Sequence, residues 1–221
     1  MRSLLLLNGS PRGPRSNSMK MLARVAEGWQ AAGGPAPRVL HLAVRADFDR
    51  AVAEFAGADT VLLGLPLYTD SMPALVLAWI EAIGRTGGSP TLGFLVQSGF
   101  PEALHSRPLE RYLEKLARRL GAPYAGTIVR GGGEALQTMP DQACKGRWAR
   151  LRTLGGQLAR DGRFGPGALR AVAGVERFGP VARTLVAAAV RLPLTQFYWN
   201  AQLKRHGAWE GRFAAPYGVA R

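Results

Sequence analysis

Five short apolar runs punctuate the first 130 residues, and stretches with helical spacing separate them. Residues 3–7 end in Asn8-Gly9-Ser10-Pro11, which predicts a buried strand running into a loop. Across 17–32, Met21, Leu22, Val25 and Trp29 fall on one helical face, and Gly33-Gly34-Pro35 stops that helix. Residues 39–44 predict a second strand, and 48–57 a helix with Phe48, Val52 and Phe55 on one side. Residues 60–65 form a third run, apolar as a central parallel strand covered on both faces has to be. A loop at 66–71 follows. Pro73 then opens a helix through Ile83, at a position where its missing N–H is harmless. Strand 91–96, loop 97–101, amphipathic helix 107–120, strand 126–129, the glycines Gly131-Gly132-Gly133 and helix 141–160 complete the series.

Buried strands alternating with helices call for a parallel sheet with helices on both faces. With no internal repeat or low-complexity tract, one domain is expected over 1–162. A turn-rich linker at 162–167 leads into a basic, helical C-terminal extension, 163–221. There, 180–192 predicts an apolar helix, Pro193 breaks it, and a shorter segment reaches Gly207. The 180–192 stretch contains Arg183 and Arg191 and is too short to span a bilayer. The extension is therefore expected to pack on the domain or on a dimer partner, with membrane-surface contact the minor alternative.

Composition narrows the chemistry. The single cysteine, Cys144, excludes a disulfide framework, a CxxC redox pair and a cysteine-bound iron–sulfur cluster. His41, His105 and His206 are far apart and lack carboxylate partners at zinc-motif spacing, so no metal centre is expected. The opening apolar run is too short for a signal peptide and leads into a glycine loop, which makes a cytoplasmic location the default. The net charge is +14, of which residues 141–221 carry +10. Aromatics among those arginines (Phe197, Tyr198, Trp199, Trp209) are a pattern of single-strand binders. High arginine usage explains the charge without such a partner, because only four of the 29 bases are lysine. No specific nucleic-acid partner is expected.

In an open parallel sheet, ligands bind beyond the C-terminal strand ends at the switch point. The loop over 8–18 joins a strand to a helix there. Its helix offers free N–H groups and a positive dipole end to an anion. Ser10, Ser16, Asn17 and Ser18 add short donors, and Arg12 and Arg15 add charge. Capping needs only one such residue, so the excess points to anion binding. No Gly-Lys-Ser/Thr follows the glycines, and no GxGxxG is present, which disfavours ATP hydrolysis and a Rossmann NAD site.

This loop resembles the phosphate loop of the flavodoxin-like NAD(P)H-dependent FMN reductase and quinone reductase family, with Gly9-Ser10-Pro11-Arg12 followed by Ser16-Asn17-Ser18. Pro66-Leu67-Tyr68 resembles the same family's next flavin segment, and Ser98-Gly99-Phe100 stands in the place of its loop beside the flavin ring. The resemblance covers about residues 1–160. It implies a flavodoxin-like three-layer sandwich with a five-stranded parallel sheet. It implies FMN as cofactor, with Ser10, Arg12, Ser16, Asn17 and Ser18 on the phosphate. Pro66, Leu67, Tyr68 and Thr69 would line the ring and supply backbone hydrogen bonds to its edge. Ser98, Gly99 and Phe100 would border the other side. NADPH or NADH is the implied co-substrate, and hydride would pass through flavin N5 to a quinone, an azo or nitro compound, or free flavin. No catalytic side chain is required, since the cofactor carries the chemistry. A homodimer is also implied. The alternative is a non-catalytic flavin-binding electron-transfer or sensor protein. Electron carriers are typically acidic, and the positive charge here argues against that one.

Overall fold

The computed structural model describes residues 2–84, 89–137, 139–190 and 196–214. Strands β1 (Leu4–Asn8), β2 (Arg38–His41), β3 (Thr60–Pro66), β4 (Thr91–Gln97) and β5 (Tyr124–Arg130) form one parallel sheet in the order β2-β1-β3-β4-β5. Helices α1 (Asn17–Ala31), α2 (Arg45–Ala53), α3 (Ala74–Ile83), α4 (Arg107–Arg119) and α5 (Lys145–Asp161) alternate with them. This is the flavodoxin-like arrangement, as expected.

The strands are apolar on both faces because both faces are covered. Side chains alternate along a strand, so Leu5 and Leu7 join Val61, Leu63 and Phe94 beneath α2, α3 and α4. Leu4 and Leu6 point the other way, joining Leu62 and Leu95 beneath α1 and α5. The edge strand β2 is short and half-exposed. Helix α2 begins at Arg45, three residues before the expected start, and Asp47 in its first turn accepts the His41 amide N–H at 3.0 Å. The expected helix over 141–160 opens as a 3-10 turn, Asp141–Cys144, before α5.

The chain divides into two compact units, 1–177 and 178–221, so the first runs past the boundary expected at 162. Gly162 ends α5 in the left-handed region, φ 68°. Phe164 then donates its amide to Ala125 O at 2.8 Å and packs in the core. Helix α6 (Pro166–Ala173) lies on β5, and its last carbonyls are capped by arginines: Arg130 reaches Val172 O at 2.9 Å and Arg150 reaches Ala171 O at 3.0 Å. Burial, with Arg147 and Arg150 nearby, pushes the Arg130 guanidinium down to about 10, which leaves it a cation at neutral pH. Beyond α6, the amides of Ala103 and Leu104 donate to Val175 O and Glu176 O, and Arg107 clamps the Glu176 carboxylate. That pairing holds the Glu176 carboxyl below its usual range.

The second unit contains α7 (Pro180–Val190), the helix foreseen from the pattern, and α8 (Phe197–Arg205), which falls in the shorter segment expected to reach Gly207. The break expected at Pro193 and the side chain of Tyr198 lie outside the described residues. Trp209 packs against the cations of Lys204 and Arg212, with Arg212 3.8 Å from its ring centroid. No helix among the described residues is long and apolar enough to cross a membrane.

Candidate functional site

The chain leaves β1 for β2 on one side and returns to β3 on the other, so the switch point lies at the C-terminal ends of β1 and β3. Loops 8–18, 66–71, 97–101 and 131–133 meet beyond those ends. A small cleft opens between them. Of the expected residues, Ser10, Arg12, Asn17, Pro66, Leu67, Tyr68 and Gly99 line it. Gln97 and Glu134 line it too and were not foreseen as site residues, although Gln97 opens loop 97–101 and Glu134 follows the glycines 131–133. Ser16, Ser18, Thr69, Ser98 and Phe100 stand outside its lining.

Hydrogen bonds stitch the loops together. Ser98 donates its amide to Arg130 O at 3.0 Å, Gly132 to Phe100 O at 2.6 Å and Gly133 to Ser98 O at 2.7 Å. Asn17 Nδ2 donates to Gly133 O at 2.8 Å, tying the start of α1 to the end of β5. A Cβ on Gly133 would stand 2.0 Å from Gln97 Oε1, so a side chain here would press directly on the cleft wall.

The first loop is organised by Asn8, which is fully buried. Ser16 caps α1: its Oγ accepts the Met19 N–H at 3.1 Å and donates to Asn8 Oδ1 at 3.2 Å, while its own amide donates to Gly13 O. The donors of Ser16 are therefore already engaged within the loop, and the residue shapes the site rather than offering a free group. Asn17 also departs from the simple expectation. Its amide nitrogen is committed to Gly133 O, and its buried Oδ1 has no partner among the described residues. An oxygen there accepts and suits a hydroxyl rather than a phosphate. Ser18 Oγ is likewise buried without a partner among the described residues, and a hydroxyl can donate to an anion. Helix geometry leaves the first-turn amides of Asn17 and Ser18 without intrahelical acceptors. Arg12, half-exposed at the rim, lies 3.5 Å from Glu134. An exposed pair of this kind is worth at most about 1 kcal/mol, so a ligand anion can compete for Arg12.

In the second loop, Leu67 donates its amide to Gln97 O at 2.8 Å, and Tyr68 and Ser71 exchange both backbone bonds around a tight turn. Pro66 has no N–H. The backbone donors expected from Pro66, Leu67 and Tyr68 are thus absent or engaged, and Thr69 is left as the expected residue able to donate. Thr69 and Asp70 hold φ of 48° and 60°. Left-handed backbone is costly for a β-branched residue, and such outliers concentrate at functional sites. Phe100 is exposed and stacks on His105, ring centroids 4.5 Å apart.

Residues 2–143 match the family model described as Flavodoxin-like fold. The chain is 28% identical over 118 residues to an FMN-dependent NADH:quinone oxidoreductase of Opitutus terrae, covering 40% of this chain and 55% of that protein. It is 29% identical over 141 residues to FMN-dependent NAD(P)H:quinone oxidoreductase 1 of Pseudomonas aeruginosa, covering 50% of this chain and 64% of that one. The chain therefore spans less than two thirds of the length of either relative. Its fold is similar to an FMN-dependent NADH-azoreductase of Bacillus anthracis, solved in complex with FMN. That match has a TM-score of 0.52 and 15% identity, and covers 72% of this chain and all of the other.

Proposed function

The chain belongs to the flavodoxin-like fold family, and from that premise we propose that it is an FMN-dependent NAD(P)H oxidoreductase using the cleft between loops 8–18, 66–71 and 97–101. The observation that carries this reading is the buried Asn17 Oδ1 in the cleft lining, without a partner among the described residues and beside a helix N-terminus. A bare acceptor at a helix N-terminus fits a ligand that carries both hydroxyls and a phosphate, as FMN does. Ser10, Ser18, Arg12 and the α1 amides would hold the phosphate, and Asn17 Oδ1 would accept from the polyol chain. Pro66, Leu67 and Tyr68 would form one wall for the ring, with Gly99 and Gln97 opposite.

Bound FMN would supply hydride transfer at N5. The protein's part is position and field. Thr69 N–H, presented by the strained turn, would aim a dipole at the ring edge, and a fixed dipole that meets developing negative charge stabilises it. The names of the relatives support a quinone as acceptor. Azo and nitro compounds, free flavin, the choice between NADH and NADPH, and a homodimer all belong to the same proposal. Purified protein incubated with FMN and desalted is expected to keep a yellow flavin spectrum and to oxidise NADH or NADPH when a quinone is supplied. Protein that stays colourless would sink the reading.

A further inference from the structure

Asn8 uses all four of its side-chain hydrogen-bonding positions. Oδ1 accepts from the Ser10 amide and from Ser16 Oγ, both at 3.2 Å. Nδ2 donates to Gly13 O at 2.7 Å. A backbone N–H on one side and a backbone carbonyl on the other permit a single orientation of the amide. The second Nδ2 hydrogen then faces His41 Nδ1 at 3.1 Å. A ring nitrogen opposite an N–H donor has to be bare, so the contact holds only while the ring proton sits on Nε2. The two residues are register partners across β1 and β2.

We infer that His41 is a positioning residue for the anion loop, and that anion binding at residues 10–18 is proton-linked through the His41–Asn8 contact. The inference rests on the anion reading of that loop. A proton on Nδ1 would set two N–H groups head-on, and Asn8 could escape only by giving up a bond that shapes residues 10–16. Other charges near the ring do not replace this contact. Strand β1 brings none. Helix α2 brings Asp47, whose Oδ2 is engaged by the His41 main-chain N–H, with Arg50 4.0 Å from Oδ1. On β2 itself Arg38 pairs with Glu54, and in the loop Arg12 leans toward Glu134 while Arg15 is exposed.

Long-range ¹H–¹⁵N spectra of the FMN-free protein at pH 8 are expected to read the Nε2–H tautomer for His41; the Nδ1–H tautomer would overturn the inference. As pH falls, the Ser10 and Gly13 amides should move in step with the His41 ring, and a ring that titrates while they stay still would also overturn it. FMN affinity by calorimetry from pH 8 to 5.5 supplies the functional arm. His41→Asn offers an acceptor that does not titrate, and it shares with wild type the titration of the FMN phosphate. Wild type should lose about fivefold more affinity than His41→Asn, the scale of one hydrogen bond; equal losses would refute the linkage. His41→Leu should bind about fivefold more weakly at pH 8. Failure of wild type to bind FMN at pH 8 would instead strike down the flavin reading, while the tautomer and the amide shifts still decide the role of His41.

Discussion

Ser18 carries a hydroxyl that is fully buried at the start of α1 and has no partner among the described residues. Such a group costs on the order of 1–3 kcal/mol unless something satisfies it. Ser18→Ala is therefore expected to leave the FMN-free protein as stable as wild type, or more stable by up to about 1 kcal/mol, in a calorimetric scan. The same change should weaken FMN binding about fivefold. A destabilised variant with unchanged FMN affinity would assign the hydroxyl to the fold alone. Residue identity revealed which side chains are short and polar but not which are already occupied. Ser16 and Asn17 look equivalent to Ser18 in sequence. Only the fold shows Ser16 spent on Met19 and Asn8, and Asn17 with its Nδ2 spent on Gly133 O and only its Oδ1 open.

Helices α1 and α5 approach so closely that their glycines are part of the contact. A Cβ on Gly28 would stand 1.9 Å from Arg152 O, and one on Gly155 would stand 1.9 Å from Val25 O. Both obstacles are backbone and cannot rotate away. Glycine inside a helix costs about 0.5–1 kcal/mol in propensity, which close packing on the sheet face has to offset. Gly155→Ala is expected to lose about 2–3 kcal/mol and to lower Tm by roughly 5–10 °C. A Tm within a degree of wild type would refute the close approach. The first turn of α1 builds the anion loop, so the same variant should also bind FMN less tightly. Apolar periodicity located both helices within a few residues, because periodicity reports the face turned to the sheet. It said nothing of Gly28 or Gly155, whose role exists only between two elements far apart in sequence.

At the scale of the whole molecule, the first unit closes with residues 163–177 rather than at 162. Phe164 and Val172 are buried, Phe164 pairs with the backbone of Ala125 in β5, and Arg107 fastens Glu176. A chain ending at Arg177 is expected to fold and to bind FMN like the full protein. One ending at Gly162 should expose the Ala125–Ile128 surface and aggregate, as size-exclusion chromatography would read. Equal behaviour of the two truncations would place the boundary earlier. The alternation of buried strands and amphipathic helices determined the parallel three-layer sheet, since a strand apolar on both faces has to be covered on both. The glycine and proline punctuation determined which loops sit at the ligand-binding end. The tertiary structure alone decided which donors in those loops remain open, where Gln97 and Glu134 stand, and how His41 meets Asn8. Each of those facts depends on pairs of groups brought together by sheet register and loop closure, and sequence spacing carries no record of either.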